Sequence, residues 1–378
     1  MHLPDSPRHP TIALYITSHG FGHAVRCAAL CEALLAACPD LRIVALTGAP
    51  AGIFPPGVEV ERCVIDTGAV QPTSLDVDAR ATLERYAALV ATEPERLQTE
   101  VARVRELGAR AVVADVPSAA FEIAARAGVH GIALANFSWD WIYEPFVEDA
   151  PAHAPLLAHL QAQYAQATRL LRLPFHGDLG VFPVIEDVPL IARRSTADRT
   201  ETRRKLGLPL EAPLVLFSFG GHVSETPDPD RLAALDGYAF VATAVSMMGP
   251  ALLAAESDVR SERHGRNLFL LPPLTDGYVD LLAACDAVVI KPGYGIVADL
   301  IANRVPALYV SRAGFREEPV LVHALETEAR AVALDRAALQ ALDLGSGLDR
   351  LLALGRPWSE RRLDGAEVVA RRILEIAG

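Results

Sequence analysis

The sequence predicts an α/β protein of two doubly wound, parallel halves that face a cleft. Three observations lead there. Apolar, β-branched runs alternate with helical stretches along most of the chain, the pattern of strands covered on both faces by helices. A strand running into a glycine-containing loop occurs twice, in "TIALYITSHGFGH" from residue 11 and in "APLVLFSFGG" from residue 212. Between them lies a stretch rich in proline and charge, "VFPVIEDVPLIARRSTADRTETRRKLGLP", residues 181 to 209, which reads as a linker entering a first helix. With 378 residues, 51% of them hydrophobic, the chain can bury a core in each half.

Residues 11 to 17, "TIALYIT", form an uninterrupted apolar run, as expected of a strand buried on both faces. The loop "SHGFGH" follows, then an apolar helical run from Ala24 to about Cys38. Further strands are expected at 42 to 47, 58 to 65, 111 to 115 and 130 to 135, with helices between them, the longest from about 74 to 107 and broken at Pro94. After the linker the pattern restarts, with strands at 212 to 221, 239 to 243, 267 to 271, 287 to 290, 306 to 311 and 331 to 334. These spans define a first Rossmann-like domain over 1–183, a linker over 184–210, a second Rossmann-like domain over 211–356, and a C-terminal helix within 357–378 that folds back towards the first. No short-period repeat and no low-complexity tract interrupts this order.

A formal net charge of −12 argues against nucleic acid and anionic membrane as partners, because no excess of cations is present to displace counterions. The N-terminal "MHLPDSPRHP" lacks an apolar signal-type segment, and the longest apolar helical run, near residues 28 to 38, is too short to span a bilayer. A soluble, cytoplasmic protein without a transmembrane segment is expected. The five cysteines, Cys27, Cys31, Cys38, Cys63 and Cys285, lack C-x-x-C spacing, and their odd number fits reduced thiols. Lys205 and Lys291 are the only lysines, so a lysine beside a glycine turn draws notice.

That turn is "KPGYGIVAD", residues 291 to 299, where Gly293, Gly295 and Ala298 have the spacing G-x-G-x-x-A. A dinucleotide fingerprint belongs to the first βα unit of its sheet and is followed about 20 residues on by an acid. Here the turn comes late in the second half, and the residue at that distance is Arg312. A redox enzyme is therefore disfavoured. The physics of the turn remains: bare glycine backbone and a helix N-terminus near residue 296 suit a phosphate, and Lys291 adds a point charge. Asp299, one and a half turns further on, is placed for a ribose. The alternative is a tight turn with a helix-facing aspartate and no ligand.

Here the sequence resembles a known family. The glycine turn, the acid beyond it, and the following strand and acidic pair resemble the donor half of sugar-nucleotide glycosyltransferases of the GT-B fold. The nearer likeness is to the glycosyltransferase-like N-terminal region of plant L-arabinokinases. It rests on "YITSHGFGHAVR" (15 to 26), "NFSWDWIY" (136 to 143), "DVPLIARR" (187 to 194), "FSFGG" (217 to 221), "KPGYGIVAD" (291 to 299) and "GFREEPVL" (314 to 321), which span most of the chain in order. In those plant proteins a small-molecule kinase domain follows. No P-x-x-x-G-L-x-S-S-A-like phosphate loop occurs here, so sugar kinase activity is not expected.

The resemblance implies an inverting, metal-independent glycosyltransferase that moves a sugar from a nucleoside diphosphate, UDP being the first expectation, to an acceptor hydroxyl. The nucleotide sugar is then a co-substrate, and no cofactor is expected. Lys291, Gly293, Gly295, Gly220 and Gly221 would surround the donor diphosphate, Asp299 would bind the ribose, and Glu317 and Glu318 the donor sugar. "LLPPLTDG", residues 270 to 277, would run beside the base. For the acid pair an equal alternative is that both residues simply favour a helix N-terminus.

Transfer also needs a base. His19 and His23 follow the first strand, at the end where open α/β sheets bind ligands, and histidine suits general base work near neutrality. His23 matches the histidine at the end of the corresponding loop in inverting GT-B enzymes, such as the peptidoglycan lipid-linked N-acetylglucosaminyl transferase. Asp115 ends another strand and would orient it. Their alternatives are helix capping or packing for His23 and a helix cap for Asp115; Arg26 reads as a solvated helix residue. The aromatic stretch holding Phe137, Trp139, Asp140 and Trp141, with His19, is the expected acceptor site, or else an apolar plug between strand and helix. An epimerase or hydrolase of the same fold, and a non-catalytic nucleotide-sugar-binding module, are the competing functions.

Overall fold

The computed structural model describes residues 10–219, 228–243, 262–272 and 277–378. The first sheet contains β1 (Thr11–Ile16), β2 (Arg42–Thr47), β3 (Val58–Arg62), β6 (Ala109–Asp115), β7 (His130–Ala135), β8 (Arg169–Arg172) and β9 (Ile185–Asp187), in the order β3-β2-β1-β6-β7-β8-β9 and parallel throughout. A small hairpin, β4 (Val70–Thr73) and β5 (Asp76–Asp78), stands apart from it. The second sheet contains β10 (Leu214–Ser218), β11 (Ala239–Thr243), β12 (Glu262–His264), β13 (Leu268–Leu271), β14 (Ala287–Ile290), β15 (Ala307–Tyr309) and β16 (Ala331–Ala333), ordered β12-β13-β11-β10-β14-β15-β16, with only the edge strand β12 antiparallel. In both sheets the strand order reverses beside the opening strand, between β1 and β6 and between β10 and β14. Ligands of open α/β sheets bind in the crevice at such points.

Several boundaries differ from the expectation for local reasons. The helical stretch from residue 74 begins as the hairpin, and its break falls at Thr92 between helices Ala79–Ala91 and Glu93–Glu106. Pro94 lies in the first turn of the second helix, where a missing N–H has no partner to lose. The first sheet continues past residue 183, because β9 pairs with β8 inside the stretch read as linker. Both strands are short and half or more charged, β8 reading Arg-Leu-Leu-Arg and β9 Ile-Glu-Asp, which hides them from a search for apolar runs.

Two segments cross between the halves, and they run side by side. Leu190 N–H donates to Arg362 O at 3.3 Å, Gly365 N–H to Leu190 O at 3.2 Å, and Ile191 bridges Asp364. The C-terminal helix, Gly365–Ala377, then packs on the first helix of the chain, Phe21–Ala37, and buries Val369, Ala370 and Ile373. Burial of a Val or Ile side chain stabilises by roughly 1.5–3 kcal/mol, enough to fix this return crossing. Apolar residues of both sheets, this helix and the linker form one continuous core.

At the crossing a Cβ on Gly365 would collide with the Pro189 and Leu190 carbonyls. Gly365→Ala should therefore destabilise the chain by about 1 to 3 kcal/mol, the usual range for overpacking. Denaturant unfolding checks this, and an unchanged midpoint would mean that the crossing segments can part without loss.

Candidate active site

The crevice begins where β1 and β6 end. After β1 the chain turns through Gly20, at φ 79, into the first helix, which carries His23 and Arg26 one turn apart on one face. Asp115 is the last residue of β6 and is 0% exposed. Its Oδ1 accepts from His23 Nδ1 at 2.8 Å and from Arg26 Nη2 at 2.6 Å, and its Oδ2 from Arg26 Nε at 2.5 Å and Cys27 Sγ at 3.2 Å. Burial works to raise the carboxyl, but the Arg26 charge and the hydrogen bonds from Arg26 and His23 outweigh it and hold Asp115 well below the usual carboxylate range. Because an ionised carboxylate only accepts, Nδ1 of His23 carries the hydrogen towards it, and Nε2 is the ring nitrogen left for another partner.

His23 thus sits inside the helix, bonded to Asp115, and neither residue caps a helix; Ser118 holds the cap position of the helix after β6. The solvated reading of Arg26 is corrected. It is 4% exposed, donates from Nη1 to Asn136 Oδ1 at 2.8 Å, and lies over the Tyr294 ring at 5.0 Å. Directly after Asp115, Val116 has φ 82, a left-handed conformation that is strained for a β-branched residue. Tyr164 holds this turn, its hydroxyl donating to Val116 O at 2.7 Å.

Across the crevice, Lys291 follows β14, and Gly293 opens the helix Tyr294–Asn303. The two glycine turns face each other: a Cβ on Gly295 would stand 3.7 Å from Gly22 Cα. Burial, and then the nearby Arg312 charge, lower Lys291 to about 8, with Glu318 opposing them. Arg312 binds the acid pair, donating from its backbone N–H to Glu318 Oε1 at 2.6 Å and from Nε to Oε2 at 3.2 Å, with Nη2 lying 3.5 Å from Glu317 Oε2. Glu317 also accepts from Asn136 Nδ2 at 2.7 Å, so this acid of the second half is bonded to the first. Both acids do start a helix, Glu318–Glu328, yet both are buried, which a purely helix-favouring role would not require.

The structure departs from the expected site at three places. Asp299 is buried and already paired: its Oδ1 accepts from Arg193 N–H at 2.9 Å, and its Oδ2 from Arg193 Nε at 3.0 Å and Nη2 at 2.5 Å. It holds the linker to the glycine-turn helix, and a ribose would find both oxygens engaged. Phe137 and Trp139, each 1% exposed, belong to the core of the first half, as an apolar plug does. Trp139 Nε1 donates to the buried Asp66 at 2.9 Å. Asp140 is also buried, and burial raises its carboxyl. Trp141 and His19 remain partly exposed. His19 stacks on Phe315 at 5.8 Å and packs on Gly68, where a side chain would lie 2.6 Å from its Nδ1 and the φ of 61 also demands glycine. Gly220 and Gly221, and residues 273–276 of the "LLPPLTDG" stretch, lie outside the described residues.

Asn136 and Arg312 were missed as site residues, as was the burial of Arg26. An arginine three residues after His23 and four before Leu30 shares their buried stripe, and that spacing was the available signal. Among the described residues no three His, Cys, Asp or Glu side chains are grouped as metal ligands, and no helix is long and apolar enough to cross a membrane.

No protein-family model matches the chain. L-arabinokinase of Arabidopsis thaliana is 32% identical over 385 residues, a match covering 98% of this chain and 35% of that protein. The chain thus spans about a third of the length of the curated relative it matches. Among solved structures, the glycotransferase of kitacinnamycin superposes with a TM-score of 0.61 at 17% identity, covering 98% of this chain and 96% of that one. A UDP-glucosyltransferase from Polygonum tinctorium, described as capable of glucosylating indoxyl, gives 0.59 at 13% identity, covering 97% and 98%. With its two mainly parallel sheets and these neighbours, the chain has the GT-B glycosyltransferase fold, and along nearly its whole length it is similar to one third of a plant L-arabinokinase.

Proposed function

We propose that this protein is an inverting glycosyltransferase that uses a nucleoside diphosphate sugar, UDP-linked, and an acceptor hydroxyl. One observation carries the reading: Gly295, in the helix start that follows Lys291, lies against Gly22, the residue before the His23 that pairs with Asp115. Phosphate oxygens suit that helix start, since its first N–H groups lack intrahelical partners and its dipole favours negative charge. Lys291 and Arg312 supply the remaining positive charge. The similarity of the fold to a UDP-glucosyltransferase supports UDP as the carrier.

In the reaction, His23 Nε2 takes the proton from the acceptor hydroxyl as that oxygen attacks the anomeric carbon from the face opposite the diphosphate. The bond from the anomeric carbon to the diphosphate oxygen breaks, and its electron pair leaves with the nucleoside diphosphate, stabilised by Lys291 and the helix N–H groups. Asp115 holds Nδ1–H and stabilises the imidazolium that forms. Arg26 keeps Asp115 ionised and fixed. No metal is assigned a role, because these groups already face the leaving charge.

UDP should raise the melting temperature of the protein, whereas NAD and NADP should leave it unchanged. A shift with NADP alone would restore the redox reading.

Affinity for UDP should depend on pH through Lys291. Its neighbours are Arg312 and Glu318, and its pKa in the free protein is about 8. A bound diphosphate favours the protonated amine, so affinity is full below that value and falls as pH rises through it, approaching tenfold per pH unit. Lys291→Ala should remove this slope and weaken binding at pH 7 by about 1 to 3 kcal/mol. Calorimetry between pH 6.5 and 9.5 checks both; a slope retained by the variant would take Lys291 out of the site.

Once an acceptor is found, His23→Ala should lower turnover by roughly 10² to 10⁴ with little change in UDP affinity. Near wild-type turnover in the folded variant would end the assignment of the base. Release of free sugar from the donor without an acceptor would instead favour a hydrolase.

A further inference from the structure

The loop after β15 belongs to the second half, yet five consecutive residues of it touch the first half. Ala313 N–H donates to Leu75 O at 3.1 Å, and Gly314, at φ 77, lies beside Val77. Phe315 stacks on His19 and meets Phe137 edge-on at 6.3 Å, inside the first-half core. Arg316 donates from Nη1 to Trp141 O at 2.7 Å and pairs with Glu144. Glu317 accepts from Asn136. On the hairpin, Leu75 is buried in the core of the second half, and Arg336 binds Asp76 through two bonds of 3.0 Å. The segment that would carry the donor-sugar contacts is therefore shaped by the opposite half.

Asn136 is the decisive contact. It stands at the end of β7 with 0% exposure, and both ends of its amide are used. Arg26 has only donors, so the amide orientation is fixed: Oδ1 must face Arg26, which turns Nδ2 to Glu317. Among the described residues Glu317 Oε2 has only the distant Arg312 Nη2 at 3.5 Å, which leaves it able to accept from a ligand hydroxyl.

We propose that Asn136 is a positioning residue for the donor sugar: from the first half it aims the Glu317 carboxylate so that Oε2 receives a sugar hydroxyl, while its other end anchors Arg26 of the base assembly. This rests on the donor reading above. It also makes donor-sugar recognition a property of the closed pair of halves, although the glycine turn that holds the diphosphate lies in one.

Asn136→Asp separates the two ends. The shape is kept and Arg26 still finds an acceptor, but Glu317 loses its donor and meets a like charge. Calorimetry with UDP and with UDP-glucose, UDP-galactose, UDP-xylose and UDP-arabinose reads the effect, using whichever sugar binds tightest. The variant should hold UDP within about threefold of wild type and lose about tenfold or more for the UDP-sugar, the worth of a hydrogen bond to a charged group. Equal loss for both ligands, or no loss for either, would overturn the positioning role, as would a wild type that binds UDP but none of the sugars. A wild type that binds no UDP would overturn the donor reading and this assignment with it. If Asn136→Asp folds poorly, Asn136→Asp with Glu317→Gln restores the bond with donor and acceptor exchanged. With the bond restored, an amide oxygen stands where Oε2 stood and the net charge of the pair is unchanged, so that variant should keep the preference for the UDP-sugar over UDP within about threefold of wild type; a tenfold or greater loss of that preference despite the restored bond would refute the role.

Discussion

A carboxylate with no contact to water organises the crevice. Asp115 is ionised at the end of a central strand, and transfer of such a charge into a protein interior is tolerated only when it is paired and every lone pair is engaged. Arg26 meets that requirement and creates another, since a buried guanidinium needs acceptors of its own. Asn136 and the face of Tyr294 provide them, and both lead towards the second half. The bonds from His23 through Asp115, Arg26 and Asn136 to Glu317 follow from that first burial.

This chain of bonds explains how two separate sheets form one site. Each sheet ends its central strands in the crevice, the first presenting an imidazole held by a carboxylate and the second a glycine turn beside a lysine of lowered pKa. Alone, neither half holds both the His23–Asp115 pair and the Lys291 glycine turn. Contacts between them are directional rather than merely apolar: the hairpin inserts Leu75 in one direction, and the loop from Ala313 to Glu317 reaches back in the other. Interlocking of this kind restricts how the halves can approach and so fixes the distance between His23 and the Gly293 turn.

Much of this was legible in the sequence, and what was not has physical reasons. Buried parallel strands such as Ala287–Ile290 announce themselves as apolar runs because both faces are covered. The short β8, β9 and β12 carry charged residues along edge or solvent-facing positions and left no such signal. The glycine turn and the two histidines were visible because their residue types are rare and chemically pointed. Partners were not visible. The pairing of Asp299 with Arg193 joins residues on two different motifs, each recognisable, whose contact depends on how the linker crosses the second sheet. Phe137 and Trp139 look alike as core or as acceptor wall until the burial of their rings decides for the core.

The claim on which the rest depends is that the glycine turn after β14 holds a nucleoside diphosphate facing His23. A crystal structure with UDP bound tests it directly. The account predicts the diphosphate against the N–H groups following Gly293, within reach of the Lys291 amine and open on its other side to the crevice. UDP seated in the first half beside His19 and Gly20, or away from both glycine turns, would contradict it.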